Sequence, residues 1–112
     1  MRYCLALDLK NDAVLIAEYE QWHREVWPEI KASIIDGGIT DMEIYRLEDR
    51  LFMIMETGPD FSFEKKGAMD ATNPVVQKWE ELMWKYQSPV PGGQPGEKWR
   101  LMNRIFSLNH SI

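Results

Sequence analysis

Three short runs of the chain place apolar residues at every second position, a fourth, Leu51 to Met55, is apolar throughout, and the longer stretches between them carry helical spacing; that order of periods restricts the fold more than any other feature. Tyr3, Leu5, Leu7 and Leu9 share one face of an extended segment, because successive side chains of a strand point to opposite faces. From Thr40 to Leu47, Met42, Ile44 and Arg46 alternate with Asp41, Glu43 and Tyr45, and Leu51 to Glu56 follows after the polar link Glu48-Asp49-Arg50. Those two runs predict a hairpin with a short turn. Trp99 to Leu108 alternates again and predicts the final strand.

The intervening stretches read as paired helices. Asn11-Asp12 supplies a cap for a helix from about Asp12 to Arg24, since a short side-chain oxygen accepts from the free amides of a first turn. Trp27-Pro28 interrupts it, because the residue before proline is driven out of the helical region. Pro28 and Glu29 suit the start of a second helix carrying Ile30, Ile34 and Ile35, which Gly37-Gly38 ends. Phe63 to Asp70 and Pro74 to Tyr86 form the second pair, the latter capped by Asn73 and apolar along Val75, Val76, Trp79, Leu82, Met83 and Tyr86. Ser88 to Gly96, with three prolines and three glycines, reads as a loop. The order β-αα-β-β-αα-β is that of an α+β, ferredoxin-like domain with one antiparallel sheet and helices on one face. Apolar residues on both strand faces predict that the bare face pairs with a second copy, giving a dimeric α+β barrel.

At 112 residues the chain is expected to be a single domain, 1–112. A net charge of −5, with no basic run longer than Lys65-Lys66, repels a phosphate backbone and argues against a nucleic acid partner. No stretch approaches the ~20 apolar residues of a membrane helix, and Met1 to Lys10 lacks the apolar core of a signal peptide, so a cytoplasmic protein is expected. Cys4 alone builds neither a disulfide nor a cysteine-based zinc site.

Two histidines are present, and His110 lies in the last three residues, which leaves His23 as the candidate for proton chemistry. Tyr19 and Trp27 stand four residues to either side, so a hydroxyl, an imidazole and an indole line one helical edge and suit a polar ring. The plain alternative makes Tyr19 and Trp27 packing residues and His23 a surface residue near a helix C-terminus. Trp79 offers a flat apolar partner for the C–H face of a ring-shaped ligand, or ordinary core beside Leu82 and Met83. Glu80, next to Glu81, is either a reacting carboxylate or part of a solvated helix face.

The segment Tyr19-x-x-x-His23-x-x-x-Trp27-Pro28-Glu29 resembles the signature of the L-rhamnose mutarotase family. The resemblance continues through Gly38, Ile44-Tyr45, Leu51-Phe52 and Gln77-Lys78-Trp79, nearly the whole chain. It implies dimeric ferredoxin-like proteins without metal or organic cofactor that interconvert the α and β anomers of a 6-deoxy-L-sugar. It further implies that His23 is the proton donor and that Tyr19 and Trp79 contact the monosaccharide. Two positions depart from the rhamnose pattern: Met42 stands where a sugar-contacting tyrosine is expected, and Glu80 where a second tryptophan follows Trp79. Pro95-Gly96-Glu97-Lys98-Trp99 looks more like the branch associated with L-fucose, which makes L-fucose a rival to L-rhamnose.

Anomers exchange through an open-chain aldehyde when one group protonates the ring oxygen and another takes the proton of the anomeric hydroxyl. The expected assignment is His23 as acid and Glu80 or a bound water as base, with Tyr19, Trp79, Trp27 and Met42 around the sugar. Two other classes fit the element order: a cofactor-free monooxygenase or haem-degrading enzyme using His23 as base or iron ligand, and a sugar-binding module without turnover.

Overall fold

The structure, a computed structural model, describes residues 1–94 and 98–109. Its elements are β1 (Arg2–Leu9), α1 (Ala13–Arg24), α2 (Pro28–Asp36), β2 (Ile39–Leu47), β3 (Arg50–Thr57), α3 (Phe63–Ala71), α4 (Pro74–Trp84), β4 (Gln87–Ser88) and β5 (Arg100–Leu101). The sheet is antiparallel in the order β2-β3-β1-β4, and β5 pairs with β1 as well. This is the expected α+β architecture.

Local chemistry sets the helix boundaries. The Asp12 carboxylate accepts from the amides of Val14 and Leu15 at 2.9 and 3.1 Å, Ser62 accepts from Lys65, and Asn73 from Val75 and Val76, each satisfying amides that a first turn leaves unpaired. α1 ends at Arg24, and Trp27 caps α2 with extended backbone, as a residue preceding proline must.

Leu5, Leu7 and Leu9 of β1 and Leu51, Met53 and Met55 of β3 are buried beneath the helices. Leu9 joins a core with Tyr19, Ile30, Val76, Trp79, Met83 and Tyr86, whereas Leu5, Ile39, Met53 and Met55 form a second cluster, and Trp99 packs against both. On the opposite face Cys4, Ala6, Phe52, Ile54 and Tyr45 form an apolar band, since the register sets Cys4 against Ile54 and Ala6 against Phe52. Arg2 with Glu56, and Arg50 with Asp8, bracket that band with ion pairs at 2.8 Å.

Two expectations need correction. The final strand is only Arg100–Leu101, where Trp99 to Leu108 was expected. Beyond it Met102 still donates its N–H to the Cys4 carbonyl at 2.8 Å, but among the described residues none past Leu101 joins the ladder, and Met102, Ile105, Phe106 and Leu108 are exposed. The last helix stops at Trp84, short of Tyr86, because the chain turns back to β1: Lys10 donates to the Tyr86 carbonyl at 2.8 Å, and Gln87 pairs with Leu9. An unexpected two-residue strand, β4, results. His110 and residues 95–97 of the predicted loop and of the fucose-like segment lie outside the described residues.

Candidate active site

Between the helices and the sheet lies a cavity of about 620 Å³. Tyr19 and His23 of α1, Met42 of β2, and Trp79 and Glu80 of α4 all line it, so five of the six residues singled out above meet in one place. Trp27 is not among the lining residues. Helix α1 ends before it, so the four-residue spacing no longer carries Trp27 onto the face of Tyr19 and His23. Its indole packs instead against Trp79, ring centres 5.0 Å apart, and together with Trp22 at 6.5 Å it fixes the wall that Trp79 presents.

His23 is oriented by its own helix. Nδ1 lies 2.8 Å from the carbonyl oxygen of Tyr19, and a carbonyl only accepts, so Nδ1 carries the hydrogen and donates. In the neutral ring Nε2 is then a bare lone pair, the nitrogen available to a proton. The imidazole stacks on Tyr19 at 4.3 Å and meets Trp79 edge to face at 5.8 Å. Burial among these rings lowers its pKa from the usual 6.5, against a smaller opposing pull from the Tyr19 carbonyl. The resting ring is therefore neutral, with Nε2 able to take a proton.

Glu80 is part-exposed at the cavity edge and paired at 3.3 Å with Lys98, whose ammonium also sits 5.0 Å from the centre of the Trp84 ring. A separate polar group comes from α2 and α3: the Lys66 ammonium bonds Ser33 Oγ at 3.2 Å and the Asp70 carboxylate, and all three residues line the cavity. Gly37 makes room for it, because a Cβ there would overlap the Lys66 stem. The cavity floor is apolar, built from Leu5, Ile44, Met53 and Met55. Among the described residues no three His, Cys, Asp or Glu side chains come together to hold a metal ion, and no helix is long and apolar enough to cross a membrane.

Sequence reasoning missed Gln87, Lys98, Trp99 and the Ser33, Lys66 and Asp70 group, all of which line the cavity. Gln87 and Lys98 flank a proline- and glycine-rich stretch in which no period marks them. Burial of Gln87 is visible only once β4 is paired with β1.

This arrangement, an open antiparallel sheet roofed by helices with a histidine and an indole facing one cavity, defines an α+β domain of known kind. The family model described as L-rhamnose mutarotase matches residues 2–108. A protein of Xanthomonas campestris pv. campestris named L-fucose mutarotase is 51% identical over 113 residues, covering 99% of this chain and 90% of its own length. An L-rhamnose mutarotase of Phocaeicola vulgatus is 38% identical over 80 residues, 70% of this chain and 73% of that one. The crystal structure of an L-rhamnose mutarotase from Formosa agariphila superposes with a TM-score of 0.70 at 21% identity, covering 96% of this chain and 98% of that one, a likeness of fold. The chain belongs to the L-rhamnose mutarotase family.

Proposed function

We propose that the protein is a sugar mutarotase, a carbohydrate isomerase acting as one domain on the anomers of a 6-deoxy-L-hexose, with L-fucose as its preferred substrate. The observation that carries the proton chemistry is the 2.8 Å contact of His23 Nδ1 with the Tyr19 carbonyl, from which follows the tautomer that leaves Nε2 bare. In ring opening Nε2 takes the proton of the anomeric hydroxyl, the C1–O5 bond breaks, and O5 receives a proton from water held at Glu80 and Lys98. After rotation about C1–C2 the steps reverse, and the same Nε2 returns its proton to O1 as the other anomer closes. Base in opening and acid in closure are one role seen from two directions, which accommodates the donor role implied by the resemblance. Tyr19, Met42 and Trp79 surround the sugar, and Trp27 holds Trp79 in place. Family membership favours this reading over the oxygenase and haem alternatives. The 51% identity to a protein named for L-fucose, together with Met42 and Glu80 at the two departing positions, supports the choice of sugar.

We further propose that the apolar band of Cys4, Ala6, Phe52, Ile54 and Tyr45 seats a second copy of the chain, its bracketing ion pairs matching their two-fold images, and that the protein works in the reducing cytoplasm, where an unpaired Cys4 is unremarkable. Exchange of the anomeric protons of L-fucose and of L-rhamnose, read by saturation-transfer NMR at equilibrium, tests the activity. Enzyme-dependent exchange, faster for L-fucose and abolished in His23→Ala, is expected. Exchange no faster than in buffer for either sugar refutes the activity.

A further inference from the structure

Gln87 opens β4, lines the cavity with Tyr19 and His23, and is 6% exposed. Its backbone is held by the pairing of Leu9 with Gln87, which fixes the position of the side chain on the cavity wall. One end of its amide is engaged: Nε2 donates to the Tyr19 hydroxyl oxygen at 3.4 Å. The other end, Oε1, is a buried side-chain atom left with no partner among the described residues. A buried acceptor without a partner costs stability that a methionine of the same length does not, so its presence in a cavity points to a ligand.

The Tyr19 hydroxyl completes the arrangement. Its oxygen already accepts from Gln87, which leaves its O–H to donate elsewhere. Burial pushes the phenol pKa up to about 12, so it keeps that proton at neutral pH. A phenolic donor and an amide acceptor therefore stand side by side on the cavity wall. One sugar hydroxyl satisfies both, since it accepts and donates through the same oxygen. Turning the amide end for end reverses the roles: Oε1 would accept from the Tyr19 O–H, and a sugar hydroxyl would accept from the amide N–H and donate to the Tyr19 oxygen, so one hydroxyl still bridges the pair.

We propose that Gln87 is a sugar-binding residue: its amide oxygen accepts a hydrogen bond from a ring hydroxyl whose oxygen accepts from Tyr19, so the pair selects sugars that carry that hydroxyl. The inference rests on the mutarotase reading of the cavity and names a contact within it.

The test compares wild type with Gln87→Met, using quenching of tryptophan fluorescence by L-fucose and by its monodeoxy analogues, anomeric exchange by NMR, and thermal unfolding. Removing a lone buried acceptor is expected to leave Tm unchanged or raised. Affinity for L-fucose is expected to fall about tenfold, the worth of one ordinary hydrogen bond. One monodeoxy sugar is expected to bind both proteins equally, because it lacks the hydroxyl that Gln87 reads. Undiminished binding of L-fucose by Gln87→Met overturns the proposal, as does a lowered Tm with equal losses for every analogue, the mark of a structural residue. Gln87-dependent binding with no enzyme-dependent exchange sinks the mutarotase reading and keeps the contact, whereas a wild type that binds no sugar sinks both.

Discussion

The Nδ1–H of His23 is held at 2.8 Å by the carbonyl oxygen of Tyr19, one turn earlier on the same helix. One backbone atom thus sets both the tautomer and the tilt of the ring, and leaves Nε2 as the only imidazole atom free to exchange a proton. Replacing His23 with Asn is expected to preserve the far-ultraviolet circular dichroism and to lower the anomeric exchange rate ~10²- to 10⁴-fold, the range for a positioned acid–base group. NMR exchange of L-fucose measures it.

A histidine held below its ordinary pKa by burial also links stability to pH. An unfolded histidine titrates near 6.5, whereas His23 in the fold prefers to stay neutral, so between the two values the unfolded chain binds more protons. The linked stability is complete above about pH 6.5 and is lost as pH falls through the folded value. Thermal unfolding from pH 8 to 5 is expected to show a steeper decline for wild type than for His23→Asn. Exchange activity of wild type is expected to fall over the same acid range, because Nε2 is then already protonated.

Trp27 and Trp79 touch, yet only Trp79 lines the cavity. Trp27→Ala is expected to lower stability by about 2 kcal/mol, less than a fully buried tryptophan costs because Trp27 is half-buried. In the protein that remains folded, affinity for L-fucose is expected to fall about threefold, because Trp79 loses the ring that holds it, a loss smaller than one ordinary hydrogen bond. Chemical denaturation and fluorescence titration separate the two effects.

Met42 lines the cavity where the rhamnose pattern carries a tyrosine. Met42→Tyr adds a hydroxyl that one class of sugar pairs and the other leaves buried and unpaired, a difference of about 1–3 kcal/mol. The ratio of exchange rates for L-rhamnose over L-fucose is expected to rise about tenfold, as measured with both sugars in one NMR sample.

On the bare face of the sheet, Ile54 of β3 lies between Cys4 and Glu43 on the neighbouring strands. Ile54→Glu sets a second carboxylate beside Glu43 in the middle of the apolar band. Sedimentation velocity is expected to show a dimer for wild type and a monomer for this variant; an unchanged sedimentation coefficient would remove the band from the interface.

Much of this was legible in the sequence because periodicity reports which face of an element is buried. Tyr3, Leu5, Leu7 and Leu9 drew β1, Asp12 and Asn73 announced their helices, and the hairpin followed from the alternation of Thr40 to Leu47 and the apolar run after the polar link Glu48-Asp49-Arg50. The failures share one cause: a period says that a residue is apolar, not what it meets. Trp99 to Leu108 alternates like a strand, but among the described residues the ladder holds Arg100 and Leu101 alone, with a single further amide bond from Met102 to Cys4. Trp27 was set beside His23 by a spacing that assumes an unbroken helix, and the break before Pro28 removed that assumption. Gln87 carries no period, and its burial depends on an amide, Lys10 N–H, that comes from the other end of the chain to hold Tyr86.

Leu5 pairs with Leu101, so the sheet joins two residues far apart in the sequence. While the chain is being made, β1 has its β3 partner long before β5 exists, and one edge of the central strand stands open. Pairings so distant in sequence form slowly. Such an edge is a template for any extended segment nearby, so the hazard of misassembly for this protein falls in the interval between release of the hairpin and arrival of β5, and slowing translation lengthens it.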